Sequence, residues 1–162
     1  MTDKGYMTHS KIVTVATGEA LRPFGLNMRV LLSSKDSGEA TSVIIADHKP
    51  GEGPPPHYHG SQSECFFVLE GEYEVTAGEL SRRAGPGTLV FIPRGTVHTF
   101  KNVGSTTARM LDWSLPGGQD NYFRVVSEQQ SDGSFNAANI GELSARFDTH
   151  FPARPAAPAH PK

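Results

Sequence analysis

His57 and His59 stand two residues apart, and Glu64 follows after a break of four. In extended backbone alternate side chains share a face, so both imidazoles project the same way. A turn across the break would bring Glu64 back towards them. Two neutral nitrogens and one carboxylate suit a divalent first-row metal: imidazole serves Fe, Ni, Cu or Zn, and the carboxylate draws towards the harder end of the series. On its own a His-x-His pair more commonly marks surface or hydrogen-bonded histidines, so the assignment needs a second element. Residues 87–102 supply one, reading as an apolar strand, a Pro/Gly turn and a further strand that opens with His98. Pro93 presets φ and Gly95 permits positive φ. The turn thereby places His98 at a strand start, where it can supply the missing ligand.

These two stretches carry a resemblance to the cupins. Gly51, His57, His59, Glu64 and Gly71 keep the spacing of the first cupin motif, G-x5-HxH-x3,4-E-x6-G. Gly87, Pro93, Gly95, His98 and Asn102 meet the second, G-x5-P-x-G-x2-H-x3-N, in full. The resemblance implies an all-β fold, an antiparallel jelly-roll β-barrel of six or more strands. It also implies a mononuclear metal held by His57, His59, Glu64 and His98. Residues 72–86, between the motifs, give the short spacing of compact single-domain bacterial members.

Composition bounds the rest. With 162 residues the chain is long enough for one domain with a substantial core and too short for two such barrels. A formal net charge of −2 offers no basic footprint for nucleic acid and no bias towards a membrane surface. The single cysteine, Cys65, excludes an internal disulfide and reads as a small buried hydrophobe. The sequence contains no run of 18 apolar residues and no apolar N-terminal region of signal type, which leads to the expectation of a cytoplasmic protein without membrane contact.

In chain order, residues 1–10 read as a flexible N-terminus containing His9, 11–118 as the barrel, 119–152 as a C-terminal extension with an amphipathic helix, and 153–162 as a disordered Pro/Ala tail in which His160 is at most an adventitious metal binder. The β-branched run at 11–16 predicts a first strand. Residues 25–32 predict a second, with Leu26, Met28 and Val30 on one face, and 41–48 a third. His48, at its end, lies outside both motifs and reads as a solvated histidine. Glu52 reads as a solvated loop charge, and Gly53 with Pro54, Pro55 and Pro56 as a stiff part of the barrel mouth. Strands at 64–69 and 73–76 are joined through Gly71 in what reads as a tight hairpin. Counting by two from Glu64 puts Phe66 and Val68 beside the metal as cavity walls, with Phe91 and Phe100 as further walls. Cys65, Phe67 and Leu69 face outward, and apolar residues there predict a homodimer. Short strands at 79–83 and 107–115 follow, with Trp113 assigned to the core and Arg109 to a solvated charge. Residues 121–126 read as a last short strand. Ile140, Leu143, Phe147 and Phe151 recur at helical spacing behind a possible N-cap, Asn139, and before Pro152, predicting a short helix packed outside the barrel. Residues 116–123 together with this helix resemble, more loosely, the tail of small quercetin dioxygenase-like cupins.

Four protein ligands leave one or two positions open on a five- or six-coordinate ion, and an open position distinguishes a reactive metal from a structural one. The leading expectation is a metal-dependent enzyme, an oxygenase acting on a small enol, catechol or flavonol-like compound with one Fe(II) per chain. Mn, Ni, Zn, Co and Cu also suit the ligand set. Glu64 is the candidate catalytic base, since a carboxylate can bind the metal or accept a proton from a substrate hydroxyl. The same ligands also fit an O2-independent isomerase, dehydratase or decarboxylase, or a non-catalytic small-molecule binder. No phosphate loop, Ser-x-x-Lys or nucleophile-elbow motif offers a competing site.

Overall fold

A computed structural model of the chain describes residues 10–153. Its nine strands are β1 (Glu19–Leu21), β2 (Asn27–Leu32), β3 (Ser42–His48), β4 (Ser63–Glu70), β5 (Tyr73–Ala77), β6 (Leu80–Ala84), β7 (Leu89–Ile92), β8 (His98–Asn102) and β9 (Ala108–Leu115). They form two antiparallel sheets, one of six strands in the order β1-β2-β3-β9-β4-β7 and one of three in the order β6-β5-β8. The architecture is the expected jelly roll, as two stacked sheets rather than one continuously closed ladder. Expectations for residues 1–9, including His9, and for 154–162, including His160, lie outside the described residues. Among the described residues no helix is long and apolar enough to cross a membrane.

Alternation decides which side chains enter the sandwich. On β3, Ser42, Ile44, Ala46 and His48 are buried on one face, and on β9 Ala108, Met110 and Ser114 are buried opposite them. Phe66, Val68, Tyr73, Val75, Ile92, Phe100 and Met110 fill the space between the sheets. Asn102 is buried within this frame, its amide donating to the carbonyls of His48 and Thr106 at 2.9 and 2.8 Å. Asn102, the end of the second motif, thus ties β8 to the end of β3.

Several elements differ from expectation. Residues 11–16 are not a strand: Val15–Thr17 is a 3-10 turn capped by Thr14, and Ile12 is 98% exposed. The β-branched run has no neighbouring edge to pair with, and β1 takes that place further on. Gly71 does not turn a hairpin. β4 pairs with β7 and β9, whereas β5 pairs with β6 and β8, so Gly71 carries the chain from one sheet to the other. It does so at φ 78°, against Ala108, whose Cβ would lie 2.4 Å from any added Cβ. Trp113 is half-buried on the outer face, in register with Cys65 and Val43. Arg109 is not free in solvent; its guanidinium binds both carboxylate oxygens of Asp47 at 2.6 and 3.1 Å.

The C-terminal extension shows the largest difference. Residues 121–126 belong to a helix, α1 (Gln119–Asp132), rather than a strand. Tyr122 and Val126, four apart, are buried on its inner face and meet Leu143 of α2 (Ile140–Ala145). Asp120, buried in the first turn, accepts from Ser34 N and Arg124, which fixes α1 across β1 to β3. α2 is shorter than the stripe suggested, and Phe147 and Phe151 lie beyond its end.

Candidate metal centre

Three separate parts of the fold bring His57, His59, Glu64 and His98 together. β4 presents Glu64 and β8 presents His98 at its first position. The His57–His59 strap reaches them through backbone pairing: His57 N donates to His98 O at 3.0 Å and His98 N to His57 O at 2.8 Å. Tyr58 faces the other way and pairs with His150 through two bonds of 2.9 Å. The prolines before the strap cannot donate to a ladder. Pro54 instead accepts from the Thr99 hydroxyl at 2.7 Å, and Gly53 packs so closely on β8 that an added Cβ would sit 1.8 Å from Phe100 O.

The ligand atoms of these four residues all lie within 4.8 Å of one another, and all four residues are buried. Each imidazole is oriented by its Nδ1, which donates to a backbone carbonyl at 2.9 Å: Pro55 for His57, Asp148 for His59 and Thr96 for His98. That arrangement turns every Nε2 lone pair towards the common focus. Glu64 Oε2 lies 3.1 Å from His59 Nε2 and 2.8 Å from His98 Nε2. A neutral imidazole carries one N–H, yet both rings face an acceptor with each nitrogen. Without a cation, satisfying all four contacts puts two extra protons into the buried site, as two imidazolium ions beside a carboxylate or as one imidazolium beside a protonated Glu64. A divalent ion at the focus removes the conflict, because Nε2 then offers its lone pair. The donor set, its burial and its outer hydrogen bonds therefore fit a metal.

The electrostatics of the metal-free site show the same conflict. Burial opposes ionisation of Glu64, but hydrogen bonds from His59 and His98 outweigh it and hold its carboxyl well below the usual range. Burial pushes His57 down to about 4, keeping it neutral and available as a ligand. For His59 burial acts downward too, but the bond and charge of Glu64 prevail and its pKa is raised.

The focus opens into a cavity of about 450 Å³ whose walls are mainly apolar, among them Phe24, Met28, Phe100, Met110, Tyr122 and Phe151. Of the expected walls, Phe100 lines it. Phe66 and Val68 do not: both are 1% exposed and packed in the core, Phe66 edge-on to Phe100 at 5.2 Å. Both point inward as expected, but Phe100 packs against Phe66 and the two side chains stay within the core cluster rather than at the cavity wall. Phe91 is a correction, being 58% exposed on the outer face. The β4–β7 register pairs Phe91 with Cys65, which faces outward, so Val90 and Ile92 take the inner side.

Several polar residues of the site lie outside the two motifs. His48 is not solvated; it is 3% exposed and lines the cavity, and burial pushes its pKa down to about 4. Glu52 lines the mouth and accepts from Lys49 N at 2.6 Å. Asp112, on the inner parity of β9, also lines the cavity; burial and then the nearby Glu64 charge hold its carboxyl well above the usual range. Its Oδ1 and Thr149 Oγ1 are buried without a hydrogen-bond partner among the described residues. Gln119, at the start of α1, sets its amide 3.2 Å from the His59 ring. Asp148, in left-handed backbone at φ 59°, accepts from Gly60 N, Ser61 N and Gln62 N at 2.9, 2.8 and 3.0 Å. It braces the loop behind His59 from the C-terminal extension. An inward polar residue on an apolar strand was the available signal for Asp112. Nothing local marked Thr149 or Asp148.

Comparison with known proteins agrees with this geometry. The cupin domain family profile matches residues 45–114. A putative germin-like protein 3-2 of Oryza sativa subsp. japonica is 30% identical, the alignment covering 94% of this chain and 69% of that protein. The quercetin 2,3-dioxygenase of Bacillus subtilis (strain 168) is 24% identical over 62% of this chain and 29% of its own length. Against other germin-like and nectarin relatives the chain spans 47% and 38% of their length, less than half. Among solved structures, KdgF from Halomonas sp. superposes with a TM-score of 0.61 at 17% identity, covering 70% of this chain and 99% of that one.

Proposed function

Because the chain belongs to the cupin family, we propose that it is a metal-dependent enzyme, an oxygenase acting on a small enol, catechol or flavonol-like compound. One observation carries the reading: four buried ligand atoms within 4.8 Å of one another, two of whose residues, His57 and Glu64, line an apolar cavity of about 450 Å³. His57, His59, Glu64 and His98 would hold the ion, proposed to be Fe(II), one per chain. When bound, such an ion supplies open positions for O2 and for a chelating substrate. The protein's own residues do the remainder. The apolar walls exclude water and favour an aromatic body. The three backbone carbonyls hold the imidazoles in place. Glu64 accepts the proton of the substrate hydroxyl, as the one anionic group at the focus.

Asp112 favours a second reading. It lines the cavity beside Glu64 with its Oδ1 buried and unpartnered among the described residues, and burial favours its neutral acid; a proton donor next to a carboxylate suits isomerisation, dehydration or decarboxylation without O2. Oxygen-electrode assays of Fe(II)-loaded protein with candidate enols and flavonols, repeated anaerobically, separate the two. O2 uptake in step with substrate loss is expected. Equal turnover without O2 overturns the oxygenase reading in favour of the second. The protein is further proposed to be a homodimer, covering Leu89 and Phe91 on the outer face of edge strand β7.

A further inference from the structure

The cavity has a second polar pole, away from the metal ligands. His48 closes β3 with its side chain inward, and its Nδ1 lies 2.9 Å from the Tyr73 hydroxyl. Its ring stands edge-on to Phe100 at 5.0 Å and to Tyr73 at 5.6 Å, while Asn102 pins its carbonyl. His48 is thus fixed in position by three neighbours. Its Nε2 has no hydrogen-bond partner among the described residues, and the side chain lines the cavity.

Phe100 separates this pole from His98, two residues earlier on the same face of β8. The β3–β9 register gives the distance. Asp112, near Glu64, pairs with Ile44, whereas His48 pairs with Ala108, four residues further along. Four residues of strand span roughly 13 Å, which leaves roughly 10 Å for the ligand once a hydrogen bond of about 3 Å to His48 is taken off. Between the poles the same register places Ala46 opposite Met110, both lining the cavity, so the intervening floor is apolar.

We propose that His48 Nε2 is a distal ligand-binding point, and that the cavity takes an elongated, largely aromatic molecule with a chelating oxygen pair at one end and a hydroxyl roughly 10 Å away at the other. A hydroxyl suits both tautomers of His48. If Tyr73 donates to Nδ1, Nε2–H donates to the ligand oxygen; if Nδ1–H donates to Tyr73, Nε2 accepts the ligand proton. The orientation of the ligand rests on the metal reading proposed above, whereas the distal contact does not.

Two probes separate these claims: 3-hydroxyflavone, which has the chelating pair alone, and 3,4′-dihydroxyflavone, which adds the distal hydroxyl. Zn(II)-loaded protein is titrated with each and binding is followed by flavone fluorescence. The dihydroxy probe is expected to bind about 5- to 10-fold more tightly, the contribution of one added hydrogen bond, and His48→Phe is expected to abolish that preference while retaining affinity for 3-hydroxyflavone. Equal affinities in the wild type, a preference that survives in His48→Phe, or failure of both probes to bind overturns the proposal. Zinc content, measured on the same samples, tests the metal reading separately; if no zinc is held, that reading fails and the distal preference is read on the metal-free protein. Should His48→Phe not fold, nitrogen-15 spectra of histidine-labelled wild type decide. His48 Nε2 should shift with the dihydroxy probe only, and an unmoved resonance overturns the assignment.

Discussion

Acid should destabilise the metal-free protein through His48, and the size of the effect follows from its burial. Burial, which would desolvate the charged ring, pushes folded His48 down to about 4 from the ordinary imidazole value of 6.5. Between those values the unfolded chain binds a proton that the folded chain does not, so stability is highest above about 6.5 and is lost as pH falls towards about 4. Lowering the pH from about 7.5 to about 5 therefore costs about 2 kcal/mol at this one residue. His57 is depressed in the same way and adds to the loss, while the raised pKa of His59 opposes it. A comparison with His48→Phe isolates the His48 contribution. The variant loses the Tyr73 hydrogen bond at every pH in this range, so that cost cancels in the pH difference. Urea unfolding of both proteins in chelator at the two pH values is the assay. The acid loss in the variant should be smaller by about 2 kcal/mol. Identical losses in the two proteins would refute the placement of a neutral His48 in the interior.

Other outcomes follow from the site. Glu64→Gln keeps the shape and removes the charge, so metal affinity should fall partially and turnover by about 100-fold or more at full metal occupancy; activity restored in proportion to metal content shows that Glu64 is a ligand only. Asp148→Ala releases the three backbone donors of residues 60–62 and loosens His59, and metal affinity measured by competition with a chelator should fall about 10-fold. Unchanged affinity contradicts the bracing role. Phe91→Asp with Leu89→Asp should shift light-scattering mass from dimer to monomer, and a wild-type monomer at micromolar concentration removes the dimer altogether.

The grouping of His57, His59, Glu64 and His98 is legible through the two motifs taken together. The spacing of His57 and His59, and the turn at Pro93 and Gly95, hold whatever surrounds them, and the structure brings these residues to one focus. Strand parity is legible on β4, where Phe66 and Phe67 face opposite ways, but not on β7, where Phe91 faces outward. Pairing is not legible. Nothing in the run from Glu70 to Glu72 tells a hairpin from a crossing between sheets, since the choice depends on β7 and β9 competing for the edges of β4. The cavity walls were the least legible part. Phe24 and Met28 come from before the first motif, and Tyr122, Ile140 and Phe151 from after the second. Their meeting depends on α1, whose Tyr-Phe-Arg-Val-Val core is rich in aromatic and β-branched residues that favour strand locally. Tertiary burial of Tyr122 and Val126 decides for helix. The burial of His48 is not legible for a related reason: the end of β3 is covered by Tyr73 and Phe100, partners distant in sequence.

Metal content of the purified protein, wild type beside a His57→Ala/His59→Ala double variant, tests the central claim most directly. Plasma mass spectrometry should find about one divalent ion per chain in the wild type and almost none in the variant, with both proteins giving the same β-rich circular dichroism. Stoichiometric metal in the double variant, or a wild type that takes up none when supplied with Fe(II), would contradict it.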